Sequence, residues 1–316
     1  RQNNNLRSTL PINPFYAQAI DYIRYRNYEA ITKMLEERPH KFYGSVDEMD
    51  KTLLQWAWEK NWFEIVKLII QHLFEGTEML ASSRPGLKKL NRMEYINHRN
   101  KDGLTAIHYA SFRGNIQIIQ YLIDHGGNPY IKDNDGHNVI HIAAQGDKVN
   151  VIYYFVKNYA FDVNERDSKQ SSALHWASYL NKEIALTYLL AWGANVNARD
   201  LENNTPLHLA VLASERVKET RWVKILLLKG AQRNNTNNDG NAPMHMVREG
   251  EMKEELISIL KEQKYWACLM LKVPLTKIDR NENTVVFFLT LFVLFNAFIW
   301  LYVVPLLAED KLYFAI

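Results

Sequence analysis

Cysteine is nearly absent from the sequence, and this scarcity sets the first limits on the chain. Among 316 residues only Cys268 is a cysteine, so no disulfide can form within the chain. A structural zinc site built on several thiolates is excluded for the same reason. The sequence therefore favours a reduced compartment for its soluble part.

An excess of one charge sign is also lacking. Lys and Arg number 38 and Asp and Glu number 35, for a net charge of +3, and the two signs are well mixed. Nucleic-acid binding would need a concentrated basic face, so no nucleic-acid partner is predicted. Residues 1–12 read as a polar tail, and residues 1–8 contain no apolar stretch of the kind found in secretory signals.

Catalytic signatures are lacking as well. The sequence contains no G-x-x-x-x-G-K-[ST], G-x-G-x-x-G, G-x-S-x-G or H-E-x-x-H pattern. We therefore predict no catalytic residue, no metal ligand and no cofactor in this chain. Whether the protein is an enzyme is left open by its residues.

Five short motifs recur with a nearly constant spacing. They are TAIHYA from Thr105, VIHIAA from Val139, SALHWA from Ser172, TPLHLA from Thr205 and APMHMV from Ala242. Their histidines, at 108, 141, 175, 208 and 245, lie 33, 34, 33 and 37 residues apart. Apolar residues at helical spacing follow each of the first three motifs, as in IQIIQYLIDH and EIALTYLLAW.

This pattern resembles the ankyrin repeat, whose period is about 33 residues and whose first helix opens with T-P-L-H-x-A. The predicted fold is an all-α solenoid of about seven helix pairs over residues 13–260, five of which carry the motif. The two earlier units are 52–73, with Gln55 in the histidine position, and 13–37, which would be the N-terminal cap. An inserted loop is predicted at about 75–98, and a second at 213–220, where the last interval is longer.

Glycines and histidines in the repeats have predicted structural roles. Asp-Gly pairs ahead of the motifs suit tight turns, and Gly127 and Gly193 are predicted left-handed helix caps. Equivalent histidines on neighbouring helices, about 8–10 Å apart, cannot share one metal ion. We therefore expect each imidazole to bond turn backbone and to connect adjacent repeats.

A second kind of segment follows the repeats. Residues 284–307 are almost wholly apolar and long enough to span a bilayer, which predicts a transmembrane helix. Residues 261–283 form a basic juxtamembrane connector, which places the repeats in the cytosol by the positive-inside rule. Residues 308–316 are a short loop and the start of a second membrane helix, as in a longer membrane protein. Cys268 is a candidate acylation site, with a buried, inert thiol as the alternative.

Repeat arrays of this kind bind protein or peptide ligands on a concave face. Aromatic residues are enriched at such binding hot spots. Trp56 is a further candidate for an exposed aromatic, although it, Tyr109 and Trp176 follow motif positions and could serve packing instead. The predicted partner-binding residues are Trp58, Lys60, Asn61, Trp62, Tyr109, Trp176 and Tyr179.

Residues 135–211, with IHIAAQ, ALHWASY and NTPLHLAV, resemble the ankyrin-bearing class of DHHC protein S-acyltransferases. The earlier TLLQWA, from Thr52, also resembles a repeat opening of that class. The resemblance implies recruitment of substrates for palmitoyl transfer by a cysteine-rich Asp-His-His-Cys segment, which this sequence does not contain.

In that family an asparagine and a tryptophan of successive repeats grip a proline-containing peptide. The matching positions fall on Lys60, with Asn61 adjacent, and on Tyr109, so both depart from the family pattern.

Three hypotheses on the function of the protein are thus open. The first is the substrate-recruiting part of a membrane S-acyltransferase. The second is a membrane-anchored scaffold without catalysis or a subunit of a larger membrane assembly. The third is the cytosolic domain of a channel. The expected location is an endomembrane such as the Golgi, with a mitochondrial membrane as the alternative.

Overall fold

The computed structural model describes residues 14–37, 42, 45–71 and 92–261, and within them the regular structure is helical throughout. The helices come in seven successive pairs, which confirms the predicted all-α solenoid of about seven repeats. The weak units predicted from Gln55 and from residues 13–37 both form such pairs.

In chain order the elements are α1 Pro14–Arg24, α2 Tyr28–Glu37, α3 Leu53–Glu59, α4 63–71, α5 Arg92–Ile96, α6 Ala106–Arg113, α7 Ile116–Asp124, α8 Val139–Gln145, α9 Val149–Tyr159, α10 Ala173–Tyr179, α11 Glu183–Ala191, α12 Pro206–Val217, α13 Arg221–Leu228, a 3₁₀ helix Pro243–Met246 and α14 Lys253–Lys261. The pairs are α1–α2, α3–α4, α6–α7, α8–α9, α10–α11, α12–α13 and the 3₁₀ helix with α14.

The motif residues fix where the first helix of a pair begins. Thr105 precedes α6 in an extended conformation, and its backbone N–H donates to Nδ1 of His108 over 3.0 Å. The same bond joins Thr205 to His208 at 3.0 Å. At α3, Gln55 Oε1 takes the place of the imidazole and accepts from the N–H of Thr52 at 2.9 Å. The third residue of each helix therefore satisfies one backbone donor that a helix start leaves free.

The opposite edge of the same imidazole reaches the next repeat. Because Nδ1 accepts, the ring proton resides on Nε2. Nε2 of His141 donates this proton to the carbonyl oxygen of Ser171, 3.2 Å away. His175 makes the equivalent bond to Asn204 at 3.2 Å and His208 to Asn241 at 3.0 Å. These three bonds confirm the predicted role of the histidines as connectors between repeats.

Two histidines depart from this rule. Nε2 of His108 makes no hydrogen bond to any described residue, although the ring is 1 % exposed. His245, in the seventh pair, is exposed, and only its Nδ1 is engaged, by the N–H of Ala242. Among the motif histidines, the connection between repeats is thus made by His141, His175 and His208.

The core runs along the array because one motif position is always apolar. The residue before each of the first four motif histidines, or before Gln55, is fully enclosed, namely Leu54, Ile107, Ile140, Leu174 and Leu207. Successive first helices pack side by side, so each of these side chains lies between two neighbouring repeats. Burying one such side chain stabilises the fold by about 1.5–3 kcal/mol.

The predicted loop at 213–220 is wrong. Residues 213–217 continue α12, which ends at Val217 with Lys218 as a left-handed cap. Ala213 and Ser214 are buried, and the Ser214 hydroxyl donates to the carbonyl of Ala210 at 2.8 Å. The extra residues therefore lengthen a helix by about one turn, because their side chains find core contacts.

Two smaller expectations also change. The left-handed glycine after α7 is Gly126, at φ +100°, and not Gly127, whereas Gly193 is left-handed as predicted at φ +86°. Part of the predicted loop at 75–98 is helical, since α5 covers Arg92–Ile96. Residues 72–91 lie outside the described part.

Among the described residues no helix is long and apolar enough to cross a membrane. The predicted span 284–307, the connector 262–283, residues 308–316 and Cys268 lie outside the described residues, so these predictions stay predictions.

Candidate partner-binding surface

The aromatic residues that follow the motif position are anchored within their own repeats. Trp56 Nε1 donates to Asp47 at 2.8 Å, and Trp176 Nε1 donates to Asp167 at 2.9 Å. The hydroxyl of Tyr109 accepts from Asn100 Nδ2 at 3.0 Å. All three rings are half-buried, so each is held in place by a turn residue and leaves one side accessible.

Cations already lie against several of these rings. Lys51 Nζ sits 5.0 Å from the ring centre of Trp56 and 5.5 Å from that of Tyr109. It also pairs with Glu59 at 3.0 Å; burial alone would lower the pKa of Lys51, but the hydrogen bond to Glu59 and nearby charges raise it. A peptide that stacks on Tyr109 must therefore share its ring with, or displace, a firmly charged lysine.

The other predicted aromatics differ in accessibility. Trp58 is 1 % exposed and lies in the core, so the prediction that its ring is exposed is wrong. Trp58 is one of five buried residues in the seven-residue helix α3. Trp62 is half-buried, 6.2 Å from the ring of Tyr28. Tyr179 is 39 % exposed, with the guanidinium of Arg216 5.0 Å from its ring centre.

Lys60 and Asn61 lie in a pocket of about 530 Å³ that we call the edge pocket. It is formed by the turns that join the two helices of the first, second and fourth pairs and by the C-terminal ends of α3 and α6. Its lining residues are Arg26, Glu59, Lys60, Asn61, Phe112, Arg113, Gly146 and Lys148. The structure thus groups two predicted site residues away from Trp176 and Tyr179.

Hydrogen bonds between turns hold this edge together. Arg26 Nη2 donates to the carbonyl of Lys60 at 3.0 Å, and Asn115 Nδ2 donates to Asn61 Oδ1 at 2.8 Å. Gly146 allows the third and fourth turns to meet, since a Cβ there would clash with the carbonyl oxygen of Phe112. The pocket walls are therefore fixed by side-chain hydrogen bonds and by the close approach of two turns.

Sequence reasoning missed Arg26, Arg113 and Lys148 as site residues. A usable signal existed, because a basic residue follows each of the first three motif helices within seven positions of its histidine: Arg113, Lys148 and Lys182. What the sequence did not show was that residues from four separate helix pairs line one pocket.

A buried charged cluster lies elsewhere in the array. His137 Nδ1 is 2.9 Å from Asp133 Oδ2, and its Nε2 is 3.4 Å from Asp167 Oδ2. Burial alone would lower the pKa of His137, but these two carboxylates raise it to about 9. The ring also meets Trp176 edge-on at 4.9 Å, so this cationic imidazole braces two adjacent turns.

Metal chemistry receives no support from this part of the chain. Within the described ranges no group of three or more His, Cys, Asp and Glu side chains is arranged to hold a metal ion. Nδ1 of each motif histidine is engaged by a backbone N–H of its own repeat.

Comparison with known families agrees with the repeat pattern. The family model described as ankyrin repeats (3 copies) matches residues 77–167 and 125–200, and the single ankyrin repeat model matches residues 202–238. The match begins within the segment predicted as a loop at 75–98.

Several curated proteins are similar over this region. Palmitoyltransferase AKR1 of Lachancea kluyveri is 32 % identical over 107 residues, which cover 33 % of this chain and 14 % of the relative. Palmitoyltransferase AKR1 of Saccharomyces cerevisiae is 28 % identical over 186 residues, covering 44 % of this chain and 24 % of the relative. The nuclear factor NF-kappa-B p105 subunit of Gallus gallus is 27 % identical over 207 residues, covering 64 % of this chain and 20 % of the relative.

The chain thus spans a quarter or less of the length of these relatives. What they share with it is the repeat region alone. By the family match and by its seven helix pairs, the chain belongs to the ankyrin-repeat proteins.

Proposed function

We propose that this chain is the substrate-recruiting part of a membrane protein S-acyltransferase. Ankyrin repeats are protein-binding modules, and that coarser role follows from the fold itself. The observation that carries the finer proposal is the similarity to AKR1 palmitoyltransferases from several yeasts, including the two described above. Transfer itself would be carried out by a cysteine-rich segment outside this sequence.

Membrane attachment is part of the proposal. The apolar run 284–307 and the basic residues ahead of it support a helix that holds the repeats at the cytosolic surface. Alkaline extraction of membranes and protease protection of the repeats test this directly. Release of the chain at high pH would contradict it.

The decisive experiment is peptide mapping of the native polypeptide, combined with an acyl-transfer assay. Peptides that continue past Ile316 into an Asp-His-His-Cys segment, together with transfer of an alkynyl palmitoyl group from its coenzyme A thioester to protein cysteines, would support the proposal. A native polypeptide that contains no such segment, and membranes that show no transfer dependent on it, would refute it.

A second function has its own support. The p105 subunit matches over a larger share of this chain than the AKR1 proteins do, and it is not named as a transferase. This favours a membrane-anchored scaffold without catalysis, which binds partners through the same repeats. The mapping experiment separates the two functions.

A further inference from the structure

The edge pocket combines positive charge with a shape that suits a ligand. Four of its lining residues are cations, namely Arg26, Lys60, Arg113 and Lys148, and one is acidic. A volume of about 530 Å³ lies within the range of pockets that bind small ligands or single side chains. The chain as a whole has a net charge of only +3, so the charge is concentrated here.

The single carboxylate of the pocket does not neutralise these cations. Glu59 is engaged by Lys51, with Oε2 and Nζ 3.0 Å apart. None of the four pocket cations forms an ion pair with a described carboxylate. The nearby Asp147 directs Oδ1 to the N–H of Ala185 at 2.7 Å and is not among the lining residues.

The later turns of the same array are built differently. Lys218 pairs with Glu251 at 2.6 Å, and Arg221 pairs with Glu183 at 2.8 Å. These cations occupy the turn between the helices of the sixth pair, as Lys60 and Arg113 occupy turns of the second and third. These two cations of the sixth pair are thus neutralised, whereas the four cations of the edge pocket are not.

An apolar contact lies among the charges. Phe112 is 44 % exposed and lines the edge pocket beside Arg113. A recessed site of this kind fits an extended chain that places an anionic side chain between the cations and an apolar side chain on the phenylalanine. The flat surface of a bilayer would instead meet the residues that protrude around the pocket.

We propose that the edge pocket binds an acidic segment of a partner protein, with a carboxylate or a phosphorylated side chain held by Lys60 and Arg113 and an apolar neighbour on Phe112. The proposal rests on the protein-binding function and names the chemistry of the partner. Like charges that face a pocket without counterions favour an anionic ligand over a neutral one.

The test uses the full chain in detergent and three fluorescein-labelled peptides of equal length. One carries a leucine flanked by glutamates, the second replaces two glutamates with phosphoserine, and the third replaces every glutamate with glutamine. We expect the two anionic peptides to bind at least about tenfold more tightly than the neutral one, because bonds to charged groups are the stronger ones. Their binding should also weaken as salt is raised from 50 to 300 mM.

Matched variants separate the pocket from general charge. Lys60→Gln with Arg113→Gln should weaken the anionic peptides at least about tenfold, whereas Lys218→Gln with Arg221→Gln, which removes the same charge from a paired turn, should change binding less than about twofold. Phe112→Ala should weaken the leucine peptide and leave a glycine analogue unaffected. Thermal unfolding of each variant verifies that the repeats are intact.

Equal loss in both double variants would overturn the proposal, as would equal binding of the anionic and neutral peptides. Phosphatidylserine vesicles provide the remaining arm. Binding of the chain to these vesicles that depends on Lys60 and Arg113, while peptides fail to bind, would assign the pocket to a membrane surface. Acyl transfer that persists unchanged in the Lys60 and Arg113 variant would refute the binding role proposed for the edge pocket but would not contradict the proposed function of the chain.

Discussion

A single residue position connects neighbouring repeats, and the chain fills it in two chemically different ways. His141 accepts a backbone N–H with Nδ1 and donates Nε2–H to the carbonyl of Ser171. Gln55 performs the same two tasks with its amide, accepting from Thr52 and donating to the carbonyls of His98 and Leu104. An amide can thus replace the imidazole, because each group has one atom that accepts a hydrogen bond and another that donates one.

We therefore expect His141→Gln to cost less than about 1 kcal/mol in the free energy of unfolding, whereas His141→Ala should cost about 2–3 kcal/mol, because a buried carbonyl and N–H lose their partners. Urea unfolding at pH 7 measures both. Equal losses in the two variants would show that the ring volume, and not its hydrogen bonds, is what the site needs.

Burial at Trp58 changes the expected outcome of an alanine scan of the surface aromatics. Trp58→Ala empties a core site that is 1 % exposed, and the loss should be about 3–5 kcal/mol. Tyr179→Ala, at a 39 % exposed ring, should cost under about 1 kcal/mol. Thermal unfolding compares them. A Trp58→Ala protein that melts with the parent would contradict the placement of this ring.

At the scale of the helix, α12 shows how extra residues are absorbed. The segment after Leu212 contains good helix formers, and Ser214 is enclosed among core side chains. Propensity and burial agree in extending the helix to Val217. An insertion in a repeat therefore need not become a loop.

Proline substitution distinguishes a helix from a loop at residues 213–217. Glu215→Pro lies inside α12 and should cost about 3 kcal/mol or more, since proline removes a helix hydrogen bond and clashes with the preceding turn. Ala173→Pro is the matched control, because Pro206 already occupies the same first position in α12. Chemical unfolding measures the stability of both variants. If Glu215→Pro were tolerated, the predicted loop at 213–220 would be supported after all.

The five helix pairs that carry the motif were predictable because the motif marks where each of them starts. Thr105, Ser172 and Thr205 could be read directly as helix caps from the repeated motif. The edge pocket could not be predicted, since Arg26, Lys60 and Lys148 are separated by many residues and meet only once the pairs stack. The inward direction of Trp58 was also hidden, because α3 has only seven residues and its spacing does not define one face.

Across the whole molecule, stability should depend on pH through two opposing sets of groups. Burial lowers the pKa of His108, His141 and His175 to about 4, below the ordinary 6.5 of the unfolded chain. Between pH 6.5 and 4 the unfolded chain therefore binds more protons, so stability falls as the pH falls. His137 behaves oppositely, because its stabilisation is complete below pH 6.5 and is lost as the pH rises through about 9.

We expect the urea midpoint to be highest near pH 6.5 and to fall on both sides. His141→Gln should flatten the acid side. His137→Gln should lower the free energy of unfolding by about 3 kcal/mol below pH 6.5, because Asp133 and Asp167 lose the cation between them, and by less as the pH rises towards 9, which flattens the alkaline side. Midpoints recorded from pH 4.5 to 9.5 provide the measurement. A flat profile below pH 6.5 would contradict the buried neutral histidines.

The amide of Gln55 makes the sensitivity to acid differ between the junctions of the array. The amide itself gains no proton between pH 6.5 and 4, whereas the imidazoles of His141 and His175, which make the equivalent bonds, do. A mildly acidic compartment would thus loosen the junctions made by His141 and His175 before the junction made by Gln55. Hydrogen exchange at pH 5 should accordingly rise in α8 and α10 before it rises in α3.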